Sequence, residues 1–394
     1  MLIEIHMIQN HSPSNLNRDD LGAPKTCVFG GVTRARISSQ CLKRTIRRSS
    51  DFQQALEKDR GVRTRRLITI LAERAHGSSP APVDLIEFVA NAFEKGGVKR
   101  KGTEEDANAT NILMFLPESS IAAMAEDIKL EWQKKKPDPD GVLDKLTELL
   151  GKAGVPDIAL CGRMTELDSA GFFRKIDFHV EAALSAAHAI STHEVVNEVD
   201  YFTAVDDKAK GTGAGYLDEA MYASACFYKH FCIDWAQLVK NLGDDDAARE
   251  LARLTVQQFL RAAAMTTPTG KQKSFAAFNP PEGILVEVKK ERCTPISYAN
   301  AFADAVPRKC PRGLIGESIA RLGQYVHELA DGYGIKAERF WFSPAGRHPL
   351  TYVDAESKEG SVVDASANFR SFDELVARVI QAVAGKQPKA GALS

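Results

Sequence analysis

Apolar and polar residues alternate from the first positions. Ile3, Ile5 and Met7 fall on one side and Glu4 and His6 on the other, so residues 2–8 predict a half-buried strand. A polar stretch over 11–31 closes on Phe29-Gly30-Gly31, and Ser38-Ser39 has the form of an N-cap for a helix running to about Ser49. Helical spacing recurs over 65–76, 84–95 and 119–135, the last ending in Lys134-Lys135-Lys136 before Pro137 and Pro139. A short helix between glycine and proline breaks is expected in 137–156, so residues 60–155 read as a helical insertion. Strand character returns at 157–161 and at 174–180, where Ile176, Phe178 and Val180 alternate with Lys175, Asp177 and His179.

Residues 191–217 differ from their surroundings. Short β-branched pieces flank Tyr201-Phe202-Thr203, and Gly211, Gly213 and Gly215 follow, which predicts a protruding hairpin or arm. Beyond it the pattern predicts a strand near 220–232, a helix over 244–265, a strand over 284–289 and helices near 314–332 and 371–385. The tail after Lys386 is expected to fray. Strands and helices mix without regular βαβ alternation, and no phosphate-binding glycine motif follows a strand. The expected fold class is therefore α+β, a core with two insertions.

Composition changes this picture little; the distribution of charge changes it more. The 394 residues carry 51 Lys and Arg against 52 Asp and Glu. Residues 1–136 hold 22 basic against 17 acidic residues and the remainder 29 against 35, so a neutral total covers an asymmetric molecule. No apolar run is long enough to span a membrane, and the first residues lack the basic region of a signal peptide. The seven cysteines form no C-x-x-C pair, so neither a zinc site nor a disulfide framework is expected, and the cytoplasm is the expected compartment.

Residues 21–50 contain Lys25, Arg34, Arg36, Lys43, Arg44, Arg47 and Arg48 and no acid. On the predicted helix Gln40, Lys43, Arg44 and Arg47 share one face, with Leu42 and Ile46 opposite. Such a face is either a solvated surface or an anion site. Ordinary exposed faces mix signs, because like charges one turn apart repel, so this pattern favours a phosphate backbone, assisted by Ser38 and the first-turn N–H groups. Lys134–Lys136 are either favourable cations at a helix end or a second phosphate contact. Tyr201-Phe202-Thr203 either folds back into the arm or wedges against nucleic-acid bases, and Met164 either makes a similar contact or fills core. Asp19 and Asp20 invite a metal reading, but adjacent acids on an extended chain diverge and no third acid is near in sequence. No catalytic constellation, metal site or cofactor is expected.

Several segments together resemble a known family: HSPSNLNRDDLGAPKTCVFGGVTRARISSQCLKRTIRRS (His11–Ser49), DIALCGRM (Asp157–Met164), AHAISTHEVVNEVDYFTAVDD (Ala187–Asp207), FAAFNP (Phe275–Pro280) and SYANAF (Ser297–Phe302). They look like the CasC-type backbone subunit of the type I-E CRISPR Cascade, a RAMP-superfamily crRNA-binding protein. The resemblance implies an RRM-like (ferredoxin-like) palm from residues 1–60, 156–190 and 218–394, a helical finger insertion over 61–155 and a β-hairpin thumb over 191–217. It implies guide-RNA contacts at Arg18, Ser38, Gln40, Lys43 and Arg47, with Met164 as a wedge and Phe202 and Thr203 at a periodic kink. The acid-free stretch adds Arg34, Arg36 and Arg44 to these candidates, and Lys134, Lys135 and Lys136 are the candidates for target DNA. The implied partners are crRNA, a target DNA strand, further copies in a helical filament, other Cascade subunits and a recruited nuclease-helicase. The competing reading is a metal-dependent RNA endonuclease using Asp19 or Asp20.

Overall fold

The computed structural model describes residues 1–54, 60–151, 154–164, 173, 178–205 and 214–385. Residues 206–213 of the expected arm and the tail from 386 onward lie outside them. The chain opens with β1 (Leu2–Ser14), β2 (Thr26–Phe29), β3 (Val32–Ile37), α1 (Ser39–Arg47) and α2 (Ser50–Gln54). It continues with β4 (Gly61–Thr64), α3 (Leu67–His76), α4 (Val83–Gly96), β5 (Met114–Pro117), α5 (Glu118–Trp132), α6 (Leu143–Gly151) and α7 (Pro156–Cys161). Then come β6 (Leu184–Ala186), β7 (Ala189–Ser191), β8 (Glu198–Val205), β9 (Ala214–Asp234), α8 (Trp235–Leu242), α9 (Asp246–Met265) and α10 (Gln272–Phe275). The last part holds β10 (Gly283–Lys289), α11 (Gly313–Tyr333), β11 (Glu338–Phe342), β12 (Thr351–Val353), β13 (Glu359–Ser361), β14 (Asn368–Phe369) and α12 (Phe372–Val383).

These elements divide into two compact units. The sheet unit comprises Met1–Phe52, Ser185–Trp235 and Val256–Ser394, and the helical unit Gln53–Leu184 and Ala236–Thr255. In the sheet unit the strand order is β14-β11-β10-β1-β9-β7-β3-β2, with β6 and β8 also paired to β9. β11 and β14 pair in parallel, and the other pairs along this order and the β8–β9 pair are antiparallel. This is the α+β class expected, consistent with an RRM-like palm carrying insertions.

β1 lies at the centre of the sheet, where Ile5 faces Val286 of β10 and Phe231 of β9. Because neighbours cover it on both sides, the strand runs six residues past the predicted end. Its polar side is not solvated either: Glu4 and His6 are fully buried, a correction to the half-buried reading. The long β9 extends beyond the sheet to pair with β8, Phe202 facing Asp218, so the predicted arm is a regular hairpin in its described part.

The helical unit packs Leu71, Phe88, Phe93, Met124, Ile128 and Leu146 into one core. The strand expected at 157–161 is instead helix α7. A short continuous apolar run suits a buried helix as well as a strand, and Pro156 at the first helical position decides for the helix. Of the strand expected at 174–180 only 178–180 are described, and Val180 makes an isolated bridge to Arg163. Among the described residues no helix is long and apolar enough to cross a membrane.

Candidate nucleic-acid interface

Helix α1 is built as its sequence predicts. Ser38 is extended (φ −67°, ψ 148°) and its Oγ accepts the Cys41 N–H at 3.2 Å, which satisfies one of the free first-turn donors. Asn17, from the loop after β1, fixes the cap itself: its Oδ1 accepts the Ser38 N–H at 2.9 Å. Leu42 and Ile46 are buried, while Gln40, Arg44 and Arg48 are exposed and Lys43 and Arg47 half-exposed. Lys43, Arg44 and Arg48 take part in no ion pair among the described residues, and no acid lies in the first turn. Lys43, Arg44 and Arg48 are therefore uncompensated cations on a capped helix.

The strands beside it extend the positive charge. Arg36 donates through Nε to the Thr26 carbonyl at 3.2 Å and through Nη1 to His188 Nδ1 at 2.9 Å. Burial and then the charges of Arg36 and Lys25 push the His188 imidazole below its usual range, so the ring is a neutral acceptor at pH 7. Lys25 and Arg36 line a cavity of about 20 Å³ with Asn17, Leu16 and Phe227, room for a single water. Asn17 and His188 are residues that sequence reasoning passed over. Neither forms part of a charge run, and both act by orienting others.

Arg34 is a correction. It is fully buried, with Nε on the Phe29 carbonyl, Nη1 on Ser191 and Nη2 on Phe302 and Ala303. With those donors used on backbone, Arg34 ties the β2–β3 hairpin to β7 and to the 299–303 turn instead of offering charge to a ligand. Gly30 belongs to the same junction. Its φ is +60°, and a Cβ there would come 1.6 Å from the Ala303 carbonyl oxygen, so no other residue fits.

Arg18 is exposed in the loop after β1 and bridges Pro24 through backbone. In the same loop Asp19 Oδ1 accepts the N–H groups of Leu21 and Ala23, both at 2.9 Å, the duty of a turn-closing carboxylate. Phe202 is exposed on the β8–β9 hairpin beside Tyr201, while the side chain of Thr203 lies outside the described part. Arg18, Arg36, Ser38, Gln40, Lys43, Arg44, Arg47 and Phe202 thus belong to the sheet unit. Met164 and Lys134–Lys136 belong to the helical unit. There Lys134–Lys136 lie in the turn after α5, with Lys134 Nζ on Glu131 Oε2 at 2.5 Å, so the first of the three is partly neutralised.

Glu4, His6 and Glu287 are the one group of potential metal ligands whose donor atoms converge, within 4.8 Å, among the described residues. Their charge is already balanced. Lys289 is bonded to Glu4, Arg339 Nε donates to Glu287 Oε1 at 2.6 Å, and Tyr298 donates to Glu287 Oε2 at 2.8 Å. Burial alone would push the Glu287 carboxyl up, but the groups around it, Arg339 and Lys289 included, bring it down to about 2. A cation here would have to displace two side-chain cations, the buried Lys289 and the half-buried Arg339, so the cluster is a structural ion network.

Comparison with known proteins adds the following. The family described as CT1975-like protein matches residues 3–368. A chain of a solved "CRISPR RNA-guided surveillance complex, pre-nicking" superposes with a TM-score of 0.78 at 31% identity, over 97% of this chain and 100% of that one. A chain of another "CRISPR RNA-guided surveillance complex" gives 0.69 at 28% identity, again over 97% and 100%. None of the curated proteins matches.

Proposed function

The chain belongs to the CT1975-like protein family, and on that premise we propose that it is a non-catalytic, crRNA-binding backbone subunit of a Cascade-type CRISPR surveillance complex, of type I-E. The observation that carries the reading is the acid-free cationic face of α1, set on a rigid cap by Ser38 and Asn17. Its similarity to surveillance-complex chains over 97% of its length supports the same reading.

In this reading Arg18, Arg36, Ser38, Gln40, Lys43, Arg44 and Arg47 hold the phosphate backbone of the guide in register without reading its sequence. Specificity comes from pairing between guide and target, and the protein recognises backbone and shape. Met164, Phe202 and Thr203 are the apolar and hydroxyl contacts that kink the strand, and Lys134–Lys136 meet target DNA. Residues 1–60, 156–190 and 218–394 serve as palm, residues 61–155 as finger and residues 191–217 as thumb. Several copies stack along one guide in an open, heterologous filament in the cytoplasm, with other Cascade subunits at its ends. A recruited nuclease-helicase cuts the target. The turn-closing role of Asp19 fits a chain that does not cut.

Purification of the chain together with its own CRISPR array tests this. Protein carrying guide-length RNA, seen as a raised 260/280 nm ratio and a discrete RNA on sizing, is the expected result. RNA-free protein that fails to bind added guide would sink the reading. So would Mg²⁺-dependent cutting of a complementary RNA that disappears in Asp19→Ala.

A further inference from the structure

Met164 is 80% exposed, yet the residue before it is buried. Arg163 donates through Nε to the Phe178 carbonyl at 2.9 Å, through Nη1 to Phe115 at 3.2 Å and through Nη2 to Gly151 at 3.1 Å. Its backbone exchanges hydrogen bonds with Val180 in both directions. Gly162, at φ +73°, makes the approach possible, since a Cβ there would lie 2.8 Å from the Val180 carbonyl oxygen. An exposed apolar side chain is thus held on a fixed backbone.

Phe115, one of the residues that anchors Arg163, also carries Arg63. The two are paired across β4 and β5, and the Arg63 guanidinium lies over the Phe115 ring at 5.5 Å from its centroid. Arg65 is two residues further along, exposed in the bend that joins β4 to α3. Its carbonyl accepts the Thr110 N–H, and the adjacent Ala109 carbonyl accepts Lys101, which brings a third exposed cation alongside. Neighbouring cations are treated differently. Arg66 is paired with Asp106, Arg74 with Glu118, and Arg100 with both Glu87 and Glu94. Acids are therefore available in this unit, while Arg63, Arg65 and Lys101 enter no ion pair among the described residues.

We propose that Arg63 and Arg65 form a second phosphate-backbone contact for nucleic acid, placed beside the Met164 wedge in the helical unit. The inference rests on the reading that the chain binds nucleic acid, and it extends that surface to β4 and the bend after it. A polynucleotide fits better than a small phosphate ester. Several separate exposed cations can meet successive phosphates of a backbone, and an exposed methionine on a fixed support is the kind of side chain that wedges between bases.

The test measures binding by the full chain from 50 to 200 mM salt, with two probes: its guide RNA alone, and that RNA hybridised to complementary DNA. Loss of two single-strand phosphate contacts lowers the salt slope by about 1.4, so the affinity lost across that range shrinks about sevenfold. Arg63→Gln with Arg65→Gln is expected to show this drop. A drop on guide RNA assigns the contact to the guide, and a drop on the hybrid alone assigns it to the complementary strand. Arg63→Lys with Arg65→Lys should restore the slope, because the charge is kept. Arg65→Glu alone leaves the stacking on Phe115 intact and should still lower the slope if the double variant fails to fold. An unchanged slope on both probes overturns the contact. Lys43→Gln with Arg44→Gln, run in parallel, separates the two ideas: a lower slope there, with none in the Arg63 and Arg65 variants, leaves the proposed function standing and removes only this inference. Wild-type protein that binds neither probe removes both.

Discussion

The sheet unit contains two concentrations of charge that differ in burial and in pairing. Within the sheet, Glu4, Glu287 and Lys289 are buried and Arg339 is half-buried, with each cation set against a carboxylate, and the imidazoles of His6 and His230 stack at 4.7 Å. On α1, Lys43 and Arg44 face outward with no acid against either among the described residues. Charge that serves the fold is paired and dry; the charge proposed to meet a ligand is left wet and unpaired. The difference follows from desolvation. An isolated ion in the interior costs several kcal/mol, whereas an exposed cation costs little and can wait for its partner.

The sharpest way to break this contrast is to unpair the buried group. Lys289→Met leaves Glu4 without its cation in a dry site, and a loss of about 3–5 kcal/mol of stability is expected by denaturant titration. RNA affinity of the fraction that remains folded should not change. A loss below about 1 kcal/mol would mean that water reaches the cluster and that the pairing is incidental.

Lys229 is the exception that sharpens the rule. It is buried on β9 yet enters no ion pair among the described residues, and burial pushes its ammonium down to about 8 from an ordinary 10.5. Between those values the unfolded chain binds more protons at this site than the folded one, so the contribution of Lys229 raises stability as pH climbs from about 8 to 10.5. The gain is on the order of 3 kcal/mol at full shift. Lys229→Met should abolish it, read as the difference between wild-type and variant melting temperatures at pH 7.5 and pH 10. Parallel melting curves across that range would show that Lys229 is already solvated.

Arg34 and Arg36 carry the same contrast within one strand. Arg34→Lys keeps the charge but cannot serve four carbonyls at once, and about 2 kcal/mol of stability should be lost. Arg36→Lys should cost less stability and more RNA affinity, since only the Thr26 carbonyl and His188 hold Arg36 in place. The opposite ranking would return Arg34 to the binding surface.

These comparisons also show which parts of the molecule the chain spells out locally. Strand β1 and helix α1 are legible because period-two alternation and a Ser cap act over a few residues. The burial of Glu4 and His6 is not, because their partners lie far along the chain: Tyr228 stands 222 residues from His6 and Lys289 stands 285 from Glu4. Alternation reports which residues share a face but not what covers it. The cationic face of α1 was legible as a run of one sign, and the Arg63–Arg65 surface was not, since Arg66 belongs to the same acid-free stretch and only the fold, which sets Arg66 on Asp106 and Arg63 on Phe115, separates them. For the same reason Arg34 read as one more cation of its run, although the turn of 299–303 claims it.

The smallest effect on stability is expected where the largest effect on binding lies. Lys43→Gln with Arg44→Gln removes two exposed charges from a face where like charges repel, so stability should change by no more than about 0.5 kcal/mol, with a slight gain as plausible as a loss. The same pair should lower the salt slope of RNA binding by about 1.4 and weaken unrelated guide sequences equally, because phosphate contacts carry no base information. Binding isotherms on two guides of different sequence, alongside a thermal melt, measure both halves. Loss confined to one guide would mean that α1 reads bases. A stability loss comparable to that of Lys289→Met would mean that the helix face is paired after all, and the contrast between dry, paired charge and wet, waiting charge would fail at the residues that define it.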